Sequence, residues 1–112
     1  MTPILNFHAH IYYDASSYDQ ASKLCDEAGR RFGLPVGHMH KKAVGPHPCW
    51  SCQLTLETEL FGEVVPWLAL NRKGLTIFIH ANTGNDLKDH TEYTLWMGKM
   101  DPLNLDIFSE NN

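Results

Sequence analysis

The sequence predicts an α+β domain of ferredoxin-like type: an antiparallel sheet in βαββαβ order, two helices on one face, and a C-terminal tail. Three observations carry this. Residues 7–13, Phe-His-Ala-His-Ile-Tyr-Tyr, alternate between two unlike faces as a strand does. Ala21, Leu24, Cys25, Ala28 and Phe32 then recur at helical spacing. Beyond them, strand, strand, helix and strand patterns follow in an order that matches the split βαβ motif.

The first strand covers residues 4–13, and Asp14-Ala15-Ser16 supplies turn chemistry. Ser17 with Gln20 fits a capping box for a helix over 17–32. Arg30 and Arg31 suit its negative end, and Gly33 its stop. Residues 36–43 read as a second strand, with Val36, His38 and His40 on one face and Met39 on the other. Val44-Gly45-Pro46-His47-Pro48 is a turn, because two prolines and a glycine do not fit inside a sheet. Trp50, Cys52, Leu54 and Leu56 alternate with polar residues in a third strand, half-buried. Thr58 caps a second helix with Phe61, Val64, Val65 and Leu68 as its stripe, where Pro66 should kink the chain or restart a turn. Residues 75–80 form the fourth strand, 81–86 a loop, and the remainder a tail with apolar anchors and no clear period. In the usual sheet order strands one and three are central, four lies beside one, and two beside three.

Length and composition narrow the function. The 112 residues make one domain, 43% hydrophobic, with net charge −4 and no basic run, so nucleic acid is not an expected partner. No stretch approaches the roughly 20 apolar residues of a membrane span. The N-terminus lacks the pattern of a secretion signal. Three cysteines, an odd count, argue for a reducing, cytoplasmic setting over a disulfide framework. Cys49-Trp50-Ser51-Cys52 opens a strand, not a helix, and has no second pair, which argues against a redox or zinc role.

The distinctive feature is seven histidines. If Phe7, Ala9, Ile11 and Tyr13 face the helices, then His8, His10 and Tyr12 face the open side. On the antiparallel fourth strand, Thr76, Phe78 and His80 share that side, with His80 near His8. Gln53 joins them from the third strand. His8, His10 and His80 thus form a candidate facial ligand set with open positions, as a metal oxygenase needs. The same pattern also suits polar residues on a wet face or in a dimer seam. His47 is expected at the opposite end of the sheet, His38 and His40 on a solvated edge, and His90 in the tail, able to fold back over the site. An uncovered face with Tyr12 and Phe78 predicts a homodimer.

Residues 7–13 and 44–48, then Val65-Pro66-Trp67-Leu68-Ala69-Leu70-Asn71-Arg72, then His80-Ala81-Asn82-Thr83-Gly84-Asn85-Asp86-Leu87 with His90, resemble the DOPA 4,5-dioxygenase family of fungi and bacteria. The resemblance runs over nearly the whole chain in the right order. It implies a dimeric ferredoxin-like fold and extradiol cleavage of a catechol, such as L-DOPA, by O₂ on non-haem Fe(II), with zinc or another divalent ion as the substitute metal. The family's histidines fall on His8, His10, His40, His47, His80 and His90, while His38 lies outside its motif. On this reading His8, His10 and His80 bind metal, and His47 or His40 takes a catechol proton. Tyr12, Gln53, Asn82 and His90 contact substrate. Glu57 is the nearest carboxylate by strand position. Two other readings stay open on the residues alone: a metal-free small-molecule binding module, and a different metal-dependent enzyme on the same histidines.

Overall fold

The computed structural model describes residues 2–109. The expected α+β architecture is present as a four-stranded antiparallel sheet with helices packed on one face. β1 (Asn6–Tyr13), β2 (Trp50–Leu56), β3 (Ile77–Asn82) and β4 (Thr94–Met97) lie in the order β2-β1-β3-β4. The main helices are α1 (Tyr18–Phe32) and α2 (Phe61–Asn71). Two four-residue helices, α3 (Asp86–Asp89) and α4 (Asp106–Ser109), flank β4.

The core follows from the pleat. Ala9 and Ile11 of β1, Cys52, Leu54 and Leu56 of β2, and Ile77 and Ile79 of β3 stand on one face, fully buried. Ala21, Leu24, Cys25 and Ala28 of α1, with Val64 and Leu68 of α2, close over them. The register pairs Ala9 with Leu54 on one side and with Ile79 on the other. His8, His10 and Tyr12 are therefore sent to the opposite face.

Several expectations are corrected. Residues 36–43 do not form a strand. Val36 bridges Leu54, Gly37 N–H donates to the Gln53 carbonyl, and His40 N–H donates to Ser51, but the ladder is not continuous. The segment trails along the outer edge of β2, with Met39 packed on the core. The fourth predicted strand is β3, shifted two residues towards the C-terminus, so Thr76 precedes it and Asn82 ends it. The tail holds a strand of its own, β4, paired through Phe78–Trp96 and His80–Thr94.

The helix starts also differ. Ser17 makes no side-chain cap on α1; its hydroxyl meets Asp14 instead, and Gln20 reaches the Arg72 and Lys73 carbonyls. Ahead of α2, Thr58 begins a short 3₁₀ turn (Thr58–Leu60), and α2 runs continuously through Pro66. Gly33 ends α1 in the left-handed region at φ 67°, as expected.

Residues 98–105 leave β4 as an irregular strap on the face opposite α1 and α2. Asn104 N–H donates to the Pro46 carbonyl, and the Phe108 ring lies 4.5 Å from that of His90. No described helix is long and apolar enough to cross a membrane.

Candidate metal centre

Antiparallel pairing sets His8 directly opposite His80 and His10 opposite Phe78. One ring nitrogen from each of His8, His10 and His80 lies within 4.8 Å of the others. The His10 and His80 Nε2 atoms are 3.1 Å apart. His80 Nδ1–H donates to the Ala81 carbonyl at 3.0 Å, because a carbonyl only accepts. That bond fixes the tautomer and leaves the His80 Nε2 lone pair aimed into the cluster.

The spacing fits a shared cation. Two nitrogens each about 2.1 Å from one ion, at a right angle, are separated by about 3.0 Å. The third imidazole, His8, is only half-buried and sits at the open side of the group. The donor set is thus three neutral nitrogens on one side of a potential ion, with the other positions free. This set suits zinc, iron or another divalent transition metal equally.

Burial keeps these rings neutral. Desolvation, then the fields of His47, His80, His8 and His90, hold His10 well below the usual imidazole value. Desolvation lowers His80 to about 4, opposed by its bond to Ala81 and by Asp89. Desolvation and then His90 lower His8. Neutral imidazoles are the ligating form, so no protons need be displaced from them at neutral pH.

His47 is not at the far end of the sheet. The turn 44–48 folds back so that its ring centroid lies 4.1 Å from that of His10. Its Nδ1 is 2.7 Å from the Tyr12 hydroxyl, and desolvation first, then neighbouring histidines, lower its pKa to about 4. Desolvation followed by the fields of Cys49 and Asp101 raises Tyr12, so the phenol keeps its proton. Alternation along strands does not fix the path of a Pro-flanked turn, and here the turn packs down so that Pro46 and His47 are both buried against the sheet face.

His90 does fold back. Its ring is 4.2 Å from His80, and its Nδ1–H donates to the Asp86 carbonyl at 2.7 Å, closing α3. His40 is half-buried at the margin; its field reaches His47, while its ring contacts the exposed His38 at 5.0 Å. Gln53 pairs with His10 across the strands and donates to the Thr55 hydroxyl. Asn82 lies one step beyond His80 and donates to the Asn6 side chain at 2.6 Å. Glu57 is exposed beyond the end of β2.

Sequence reasoning missed two groups, Trp96 as the partner of Phe78 and the carboxylate of Asp89. Phe78, fully buried, lies against His10, His47, His80 and His90 and stacks on Trp96 at 4.5 Å, forming an aromatic floor. The alternation of β3 placed Phe78 on this face, but nothing local revealed Trp96 as its partner. The second is Asp89, 1% exposed, the buried carboxylate nearest the cluster. The Thr83–Asn85 turn before it was the available signal. Between His90, Trp96 and the strap lies a cavity of about 450 Å³, lined mainly by apolar groups with Asp101 at its margin.

Buried histidines on a face that can hold one divalent ion, over an aromatic floor, make a candidate metal centre. Comparison with known proteins fixes the family. Residues 7–107 match the model of the Dopa 4,5-dioxygenase family, and the chain belongs to that family. It is 32% identical to a DOPA 4,5-dioxygenase of Amanita muscaria, over 91% of this chain and 49% of that protein. It is 33% identical to an uncharacterized 21.2 kDa protein of Botryotinia fuckeliana, over 90% of this chain and 62% of that one. The chain therefore spans about half to three-fifths of these relatives. A crystal structure from Nostoc punctiforme, described as a putative dioxygenase, superposes with a TM-score of 0.93 at 40% identity, covering 97% of this chain and 95% of that one.

Proposed function

We propose that the protein is a non-haem iron extradiol dioxygenase that opens the ring of a catechol, L-DOPA or a related ortho-dihydroxy aromatic. The observation that carries this reading is the His10–His80 Nε2 pair at 3.1 Å, with His80 Nδ1 already committed to Ala81. Family membership supplies the oxygenase class.

His8, His10 and His80 would hold the ion. A bound Fe(II) would bring a catechol and O₂ together and relay electrons from the catechol ring to O₂. The remaining residues orient the ring and move its proton. Trp96, partly exposed and backed by the buried Phe78 on which it stacks, gives an apolar surface against which a planar ring is positioned and from which water is excluded. His47, neutral at pH 7, takes the catechol proton at Nε2 in the tautomer whose Nδ1–H donates to the Tyr12 hydroxyl oxygen. His90 faces the same space from the opposite side and donates no proton from Nδ1, which is committed to Asp86. His40, the other candidate base from sequence, is half-buried beside His38, with its field reaching His47. Gln53 and Asn82 remain candidate polar contacts for the substrate.

We also propose that a second copy covers the part of the face that the strap leaves open, beside His8, His40 and Gln53. These three are all partly exposed.

The test is anaerobic loading with Fe(II), followed by O₂ uptake with DOPA, caffeate, protocatechuate and plain catechol. A yellow semialdehyde carrying both oxygen atoms is the expected product. No O₂ uptake with any of the four would discard the dioxygenase reading.

A further inference from the structure

Asp89 has no place in that chemistry, yet its setting is unusual. It is 1% exposed, and its two oxygens are engaged only by Thr83: Oδ2 accepts the backbone N–H at 2.8 Å and Oδ1 accepts the hydroxyl at 2.6 Å. The two ion pairs among the described residues, Arg31–Glu27 and Lys99–Asp101, leave it without a cation. An ionised carboxylate withdrawn from water needs a positive charge nearby or it is costly.

The loop geometry points to where that charge would sit. Thr83 follows β3 three residues after His80, and Asp89 precedes His90, whose ring lies 4.2 Å from that of His80. Asp89 thus ties both ends of the segment that carries these two rings. Its field favours positive charge at His80, opposing the neighbouring histidines. It is not itself aimed at the cluster, since both oxygens face Thr83.

We propose that Asp89 is a positioning residue and fixed counter-charge for a divalent ion on His8, His10 and His80, acting through His80 and the Thr83–His90 loop and not as a ligand. This rests on the metal-centre reading above. Groups hydrogen-bonded to metal-bound histidines change affinity by roughly 10–100-fold; His80 makes that bond to Ala81, and Asp89 acts through its charge and the loop it ties. Asp89→Asn keeps an acceptor for Thr83 N–H and removes the charge. Thr83→Val removes one hydrogen bond and keeps the charge.

The experiment is Co²⁺ and Zn²⁺ affinity of the full chain, by competition with a chromogenic chelator, together with thermal melting of the metal-free proteins. The expected result is a loss of tenfold or more for Asp89→Asn, only a few-fold loss for Thr83→Val, and metal-free melting of Asp89→Asn no lower than wild type. Equal affinity of wild type and Asp89→Asn overturns the proposal while leaving the metal centre intact. Equal losses in Asp89→Asn and Thr83→Val also overturn it, because the effect is then that of the loop alone. A wild type that binds neither ion removes the metal-centre reading itself, and this inference with it. Should the Asn variant not fold, Asp89→Ser takes its place in the same comparison.

Discussion

At the scale of single residues, the site is a set of imidazoles that the fold keeps uncharged. Removing His10 or His80 should lower metal stoichiometry and weaken affinity by an order of magnitude or more, read by metal analysis of His10→Ala and His80→Ala. His47→Ala should keep its metal and lose roughly 10²–10⁴-fold in rate. Tyr12→Phe should fall between the two enzymes, because it removes the hydrogen bond on Nδ1 and leaves the ring. Acid should unfold the metal-free protein early. His47 and His80 titrate near 4 when folded against an ordinary 6.5, so the unfolded chain binds protons first. Their contribution is therefore complete above pH 6.5 and is lost as pH falls from 6.5 towards 4. Melting temperature should be flat from pH 8 to 7, then drop steeply, and added Zn²⁺ should restore it in the upper part of that range. Period-two alternation made the convergence of His8, His10 and His80 legible in the sequence. It could not place His47 or His90, since both arrive on loops whose paths depend on tertiary packing.

At the scale of elements, alternation and helical spacing located β1, α1, β2 and α2 well, because each buries one face on a common core. The segment 36–43 had the alternation of a strand without its pairing. It lies outside β2, where Gly37 sits so close that an added Cβ would be 3.3 Å from the Gln53 carbonyl oxygen. Only an isolated bridge forms there. β4 was missed for the opposite reason: four residues are too few to show a period, and its strand character comes from pairing with β3. Pro66 is the clearest conflict between local rule and observed fold. It is exposed, inside α2, and leaves the Gly62 carbonyl without its helical donor. Pro66→Ala should stabilise the protein by about 1–2 kcal/mol, the helix gain less the added freedom of the unfolded chain. A urea melt measures it.

At the scale of the whole molecule, the sheet separates two tasks. One face is a dry core against α1 and α2; the other carries the candidate metal centre and is closed in part by the strap. A dimer should complete that closure, and light scattering across dilution should give twice the mass of one chain; a monomer at all concentrations would leave the strap as the sole cover. The strap has a further consequence. It borders the cavity beside His90 and Trp96, yet it contributes none of the three candidate metal ligands. Side chains of residues 100–105 should therefore be exchangeable with His8, His10 and His80 left in place, provided the backbone bond from Asn104 to Pro46 is kept. On the proposed reading, the size and side chain of the substrate that fits are then set by this one short irregular segment, apart from the residues that would hold the ion.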